Sequence, residues 1–202
     1  MDVRHAKSCS RKDCGLRHFP SFRYSRGLSL IEVITVTALL SISYSIGVPA
    51  FAKFLSSEKG IARINDLAAS LALTRSVAIK RGRPAVICKS RDGQYCHRRG
   101  TTWHDGWIVF VDFDQDRQRS DDEPLVHSQG RGSAGQQLTY AAFGSKHYVT
   151  YRPSGYTKTN GTFTLCDPRY PDDARALILM KTGRVRASRV KTNGDPLECT
   201  DT

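Results

Sequence analysis

The chain has 202 residues, with 31 Lys and Arg against 19 Asp and Glu, for a formal net charge of +12. This length accommodates one ordinary domain with appendages. No internal repeat and no long low-complexity linker divides it.

Residues 1–27 are basic: Arg4, Lys7, Arg11, Lys12, Arg17, Arg23 and Arg26 stand against Asp2 and Asp13. His5, Cys9, Cys14 and His18 are scattered through the same segment at spacings that match no zinc pattern. The next 24 residues, Leu28 to Phe51, carry a single charge, Glu32. Roughly 20 apolar residues cross a bilayer core as a helix, so this run is long enough. An ionisable group at its start is costly near lipid and argues for a function. The basic segment favours retention on the cytoplasmic side, which places the rest of the chain in the periplasm or outside the cell. Disulfides are permitted there. Cys9 and Cys14 fall in the basic segment; the other four cysteines, Cys88, Cys96, Cys166 and Cys199, allow three pairings.

One long helix is expected over Leu28–Arg81. Its second half places Ile61, Ile64, Leu67, Ala68, Leu71, Ala72 and Ala78 close to the i, i+3, i+4, i+7 template, with Lys59, Arg63, Asp66 and Arg75 between them. Pro49, preceded by Gly47, predicts a bend. Arg81-Gly82-Arg83-Pro84 predicts the stop, a Gly cap followed by Pro. Beyond it, strands are expected near Ala85–Lys89, Gly106–Phe113, Pro124–Ser128, Leu138–Phe143, Tyr148–Arg152, Thr162–Cys166, Arg175–Lys181 and Arg184–Val190. Turn signals at Asp92-Gly93, Ser154-Gly155, Asn160-Gly161 and Thr182-Gly183 separate them. The expected fold class is α+β: a long N-terminal helix whose amphipathic half packs on antiparallel sheets.

The stretch Arg26-Gly27-Leu28-Ser29-Leu30-Ile31-Glu32-Val33, with the apolar run and Pro49 after it, resembles the start of a type IV prepilin. Further on, Ala85-Val86-Ile87-Cys88, Asp92-Gly93, Cys96, Trp103 and Gly106-Trp107-Ile108-Val109-Phe110-Val111-Asp112 resemble the globular domain of GspH/FimT-type minor pilins. So do Phe163-Thr164-Leu165-Cys166-Asp167, Gly183-Arg184 and Cys199. The resemblance implies a leader at 1–27, removed by the prepilin peptidase after Gly27, and a mature start at Leu28. It also implies a membrane-spanning half-helix at 28–52, an amphipathic half at 53–82 and a β-rich globular domain at 83–202. Glu32 becomes the fifth mature residue, an assembly residue that meets the free N-terminal amine of a neighbouring subunit. Removing 1–27 takes away seven basic and two acidic residues and leaves a net charge of +7. The implied location is the bacterial inner membrane, held by a single helix, with a periplasmic globular domain that enters a pilus or pseudopilus. The implied partners are the peptidase and other major and minor pilins. Neither an enzyme nor a cofactor is implied.

Cys88 and Cys96 flank the Asp92-Gly93 turn, so a short loop brings them together and leaves Cys166 for Cys199. Closing these loops is worth roughly 2.5 and 3.8 kcal/mol in the chain-entropy model. A zinc site on Cys88, Cys96, His97 and His104 lacks a Cys-x-x-Cys pair. Asp112, Asp114, Asp116 and Glu123 copy the carboxylate spacing of a calcium loop. The sixth loop position, however, is Arg117 where such loops need Gly, so the expectation adopted is a solvated acidic turn whose carboxylates pair with nearby Arg, and no metal is assigned. His97, His104, His127 and His147 are scattered, with no nucleophile motif beside them.

The stretch 181–191 holds Lys181, Arg184, Arg186, Arg189 and Lys191 and no acid. On an extended strand Arg184, Arg186 and Ser188 share one face, while Val185 and Ala187 face the core. Guanidinium groups about 7 Å apart suit successive phosphates. Gly183-Arg184-x-Arg186 also resembles the DNA-binding motif of FimT-type pilins. The function expected is therefore a minor pilin that binds extracellular double-stranded DNA without sequence preference, for uptake in natural transformation. Gly183, Arg184 and Arg186 would be central to it, with Lys181, Arg189 and Lys191 in support. The alternative is a structural minor pilin or type II secretion pseudopilin whose basic strand merely guards a sheet edge.

Overall fold

The computed structural model describes residues 27–197 and residue 199, so the expected leader, Gly27 apart, lies outside the described residues. Helix α1 spans Leu30–Arg81. The carbonyl of Ser29 opens it by accepting from the N–H groups of Glu32 and Val33, at 3.0 and 3.1 Å. Pro49 falls inside it, and Gly82, donating its N–H to Ile79 O, closes it. The chain separates into two compact units between Ser45 and Ile46.

In the first unit the described residues are chiefly the start of α1. It is part of the one helix, among the described residues, that is long and apolar enough to cross a membrane. An 18-residue window of mean hydropathy 1.7 has none of its residues buried, whereas the core helix of a soluble protein is mostly buried. Its hydroxyls are paired within the helix: Thr35 donates to Glu32 O at 2.9 Å, Thr37 to Val33 O at 2.9 Å, Ser41 to Thr37 O at 2.8 Å and Ser43 to Leu39 O at 2.9 Å. Such back-bonding satisfies these hydroxyls within the helix, as an apolar surrounding requires.

The second unit holds the remainder of α1 and eight strands: β1 (Ala85–Lys89), β2 (Trp107–Val111), β3 (Leu125–Gln129), β4 (Gln137–Ala142), β5 (Tyr148–Tyr151), β6 (Gly161–Cys166), β7 (Arg175–Leu179) and β8 (Val185–Ser188). They form two four-stranded antiparallel sheets, in the orders β3-β2-β1-β5 and β4-β6-β7-β8. The α+β class and all eight expected strands are therefore present, with ends displaced by at most two residues.

The buried face of α1 differs from the expected stripe. Ile64, Leu67, Leu71 and Ala78 are buried as expected, but Ala72 is exposed and Ile61 and Ala68 are only half-buried. Gly60, Arg63, Ser70 and Thr74 take up the rest of the face. The polar members fit because each has a partner. Thr74 donates to Ser70 O at 2.6 Å and Ser70 to Asp66 O at 2.8 Å, and the Trp107 indole N–H donates to Ser70 Oγ at 2.9 Å. Arg63, expected among the solvated charges, is 5% exposed. Its guanidinium lies 4.0 Å from the Trp107 ring centroid and donates to Gly130 O at 2.8 Å and His104 O at 3.2 Å. Burial pushes its pKa down to about 10, against the pull of Asp66, so it stays charged at neutral pH.

Around this face lies one apolar core. It takes Ala85, Ile87, Trp107, Val109, Val149 and Tyr151 from the first sheet and Leu138, Tyr140, Phe163, Leu165, Leu177 and Leu179 from the second. Phe163 stacks on Tyr140 at 4.1 Å and meets the edge of Trp103 at 4.9 Å. Strands β1 and β2 are buried at every position because their other face forms a second cluster, Val86, Cys88, Ile108 and Phe110, packed against Cys96, Leu125 and Tyr148. This explains why their sequences are continuously apolar, while β4 alternates. Disulfides join Cys88 to Cys96 and Cys166 to Cys199, each with Cα atoms 5.6 Å apart.

Arg63→Ala should destabilise the protein by about 2 kcal/mol, because it strips the donors from two carbonyls and a cation from an aromatic face. Arg63→Lys should recover only part, since an ammonium lacks the planar fork. Denaturant unfolding of the full chain in detergent, followed by tryptophan fluorescence, measures both. A parental midpoint for the alanine variant would remove Arg63 from the supports of the core.

Candidate functional site

Strand β8 ends the second sheet, paired on one side only with β7: Leu179 faces Val185, Ile178 faces Arg186, Leu177 faces Ala187 and Ala176 faces Ser188. The turn before it is closed by Gly183 N–H on Met180 O at 2.8 Å and Met180 N–H on Arg184 O at 3.0 Å. It is tied down from outside by Thr157, whose N–H donates to Lys181 O at 2.9 Å and whose hydroxyl donates to Met180 O at 3.1 Å. Gly183 has φ +77°, and a Cβ there would run into the backbone oxygen of Gly155 and approach the Tyr151 ring at 3.0 Å. Its place in the motif is thus conformational: it is buried, and it fixes where Arg184 leaves the turn.

Arg184, Arg186, Arg189 and Lys181 are all exposed. Arg186 lies on β8 and Arg184 immediately before it, at the end of the turn, two positions apart along the extended chain. Val185 packs against the core, but Ala187, expected to do the same, is exposed, because an edge strand has no neighbour to cover so small a side chain. Among the described residues Arg184, Arg186 and Arg189 make no side-chain hydrogen bond and no ion pair; the arginines that do pair with carboxylates are Arg131, Arg169 and Arg175. Lys191 is placed differently. It is half-buried and lines a cleft with Thr162, Thr164 and Leu197, where the C-terminal segment crosses the outer face of the sheet. That segment turns back through a Val190–Pro196 bridge before Cys199 reaches Cys166. The arrangement offers unneutralised guanidinium groups beside a fixed turn, which is chemistry suited to the phosphates of a polyanion backbone.

The acidic loop between β2 and β3 is the second cluster. The structure brings together Asp112, Asp114 and Asp116, each offering an oxygen within 4.8 Å of the others. Glu123 does not join them: its carboxylate accepts from Phe113 N–H at 2.6 Å and Ser120 N–H at 3.1 Å. Among the described residues the expected pairing with arginine does not occur. Arg119 donates to Gln94 O at 3.2 Å and lies near the Tyr95 ring, and Arg98 reaches the backbone oxygen of Asp116 and the Gln118 amide rather than a carboxylate. Burial first, then the charge of Glu123, pushes the Asp112 carboxyl up to about 6.

Two buried polar residues were not legible as such. Lys89, at the end of β1, donates to Thr101 O at 2.5 Å. Asp167, after β6, accepts from Ser56 Oγ at 2.6 Å and from Arg169 at 2.7 and 2.9 Å, tying α1 to the second sheet; the Arg169 bonds hold its carboxyl below the usual range. At the other end of the chain, Gly27 and Leu28 precede α1 and are exposed, and Glu32 lies in its first turn.

Among solved structures, the type IV minor pilin FimU of Pseudomonas aeruginosa is similar at 19% identity, over 73% of this chain and 99% of that one, with a TM-score of 0.54. The minor pseudopilin EpsH of the type II secretion system of Vibrio cholerae is similar at 12% identity, over 72% and 99%, with a TM-score of 0.47. The FimU match shows a shared fold. No curated protein matches the chain. The family model described as type II transport protein GspH matches residues 63–193, which is more than half of the chain and takes in the amphipathic part of α1, both sheets and the β7–β8 hairpin. The chain belongs to the GspH family, the GspH/FimT type of minor pilin that its motifs resemble.

Proposed function

We propose that this GspH-family protein is a minor pilin of a type IV pilus and that its β7–β8 edge binds double-stranded DNA through the phosphate backbone, for uptake. The family is one of structural subunits and not of enzymes. The observation that carries the DNA reading is the pair of exposed, unpaired arginines, Arg186 on an edge strand and Arg184 immediately before it. Lys181 and Arg189 extend this basic stretch. Lys191 contributes from its cleft by long-range attraction and not by contact. The alternative reading is a subunit of a pilus or type II pseudopilus that assembles without DNA. It is favoured by the same strand being an edge, since charge there blocks strand addition.

Binding should be weak and insensitive to sequence, in the range of roughly 10⁻⁴–10⁻⁶ M at physiological salt. Arg184→Gln with Arg186→Gln should weaken binding to every duplex alike and lower the salt slope by about two. The thermal midpoint should stay nearly unaltered, since exposed substitutions cost within about 0.5 kcal/mol. Gly183→Ala should do the reverse first, costing at least about 1–2 kcal/mol for the left-handed backbone before any clash is counted. Fluorescence anisotropy of labelled duplexes with the full chain in detergent, beside unfolding curves, measures all three. A double variant that binds like the parent places the site elsewhere. A parent that binds no DNA even at low salt leaves the assembly reading.

The proposal extends to the N-terminus: peptidase cleavage after Gly27, membrane residence of 28–52 in the inner membrane, and a periplasmic domain beyond. There Glu32 would be paired with the N-terminal amine of a neighbouring pilin, an attraction strengthened by exclusion of water. Mature protein should begin at Leu28 on N-terminal sequencing. Glu32→Ala should leave unfolding of the globular part unchanged and reduce incorporation into fibres several-fold, as read by immunoblot of sheared pili. Normal incorporation would remove the role of Glu32.

A further inference from the structure

The geometry of the β2–β3 loop points to a function separate from DNA and from assembly: we propose that residues 112–123 form a Ca²⁺ site in which Asp112, Asp114 and Asp116 hold the ion. The three carboxylates offer oxygens within 4.8 Å of one another, which is twice a Ca–O distance of about 2.4 Å, so a single ion fits between them.

An acidic cluster alone would not carry this. The second observation is Asp112 itself. It is 1% exposed, and neither of its carboxylate oxygens has a hydrogen bond of full geometry, the one donor directed at it being the backbone N–H of Gln115. Buried carboxylates are paired, hydrogen-bonded or metal-bound. Among the described residues no cation forms an ion pair with any of Asp112, Asp114, Asp116 or Glu123. Arg117, Arg152 and Lys158 line the same cleft as Asp112, yet none of them lies within ion-pair distance of it.

The backbone agrees at position 6, and Gln115 at position 4 is left-handed as well, with φ +66°. Calcium loops of 12 residues place ligands at positions 1, 3, 5, 7, 9 and 12 and a left-handed residue at position 6. Counting from Asp112, these are Asp112, Asp114, Asp116, Gln118, Ser120 and Glu123, and position 6 is Arg117 with φ +63°. A bulky non-glycine residue seldom adopts that conformation. The turn that glycine normally provides is therefore present without glycine. Glu123 departs from the pattern by closing the loop through Phe113 and Ser120, which leaves the three aspartates as the ion's protein carboxylates. Magnesium fits less well, because it demands near-ideal octahedral geometry and gives up water reluctantly.

The test uses the full chain in detergent, stripped with a chelator and titrated with CaCl₂ by calorimetry and thermal unfolding. One ion per chain is expected, in the range of roughly 10⁻⁴–10⁻³ M known for extracellular modules. The unfolding midpoint should rise with Ca²⁺ and not with equal MgCl₂. Asp114 and Asp116 are exposed, so Asp114→Asn with Asp116→Asn should keep the fold, checked by circular dichroism, and weaken binding about tenfold or more by loss of ligand charge. Arg117→Gly removes a repelling charge and the left-handed strain, and should tighten binding several-fold; a merely solvated turn would gain nothing. Absence of binding up to about 10 mM Ca²⁺, well above the weakest range for such sites, would overturn the proposal. So would a double variant that binds like the parent, or an equal shift with Mg²⁺.

Discussion

Among the described residues the strands of the two sheets share no hydrogen bond, and the buried face of α1 packs into the one core to which both sheets contribute. Trp107 is the clearest case. It comes from the first sheet, its indole N–H ends on Ser70, and its ring lies under the Arg63 guanidinium. Arg63 in turn reaches Gly130 and His104, in the loops that lead out of β3 and into β2. Asp167 repeats the device on the other sheet, where Ser56 of α1 donates to a carboxylate at the end of β6. The apolar positions of the helix supply adhesion in proportion to area, without direction. The polar positions supply direction. A helix that had only Ile64, Leu67, Leu71 and Ala78 on this face would have little to set its rotation against two separate sheets.

This is also the part of the fold that the sequence conceals. Periodicity finds apolar residues, so it located α1 and a stripe close to the true one, and strand signals located all eight strands. It assigned Arg63 to solvent because charge is usually solvated, and it admitted Ala72 because a methyl group fits any face. Nothing local marks Arg63 for burial. Its partners lie 41 and 67 residues away, and a Trp ring from another strand is needed to make burial tolerable. The disulfide pairing was easier to read, since the Cys88–Cys96 loop is short and closes on a turn, and the remaining pair follows. Ala187 failed for the opposite reason: alternation gave its direction, but alternation does not say that the sheet ends there.

The candidate sites show the same division. Gly183-Arg184-x-Arg186 was legible as a motif, and the structure separates its members by role. Gly183 is held by packing against Gly155 and Tyr151, whereas the arginines touch nothing that would neutralise them. The acidic loop was legible as a spacing and was set aside because Arg117 stood where glycine belongs. A position's residue type is only a proxy for its backbone angle. With the neighbouring turns fixed by Glu123 and by the β2–β3 pairing, the chain takes the left-handed conformation at Arg117 regardless.

The surface charge of this domain is therefore not a uniform basic coat. Three unneutralised acids stand together in a connection of the first sheet, between β2 and β3, and the unneutralised Arg184 and Arg186 in the last hairpin of the second. A polyanion and a divalent cation would each find one of these and be repelled by the other. Like charges left together and unpaired on separate elements are a cost to folding in each place, since opposite charges were available in the same chain to offset them. Arg131, Arg169 and Arg175 are offset in that way, by Asp105, Asp167 and Asp173. Arg184, Arg186 and the three aspartates are not, and a charge that the fold leaves unpaired is one that a ligand can pair with at no loss to an existing bond.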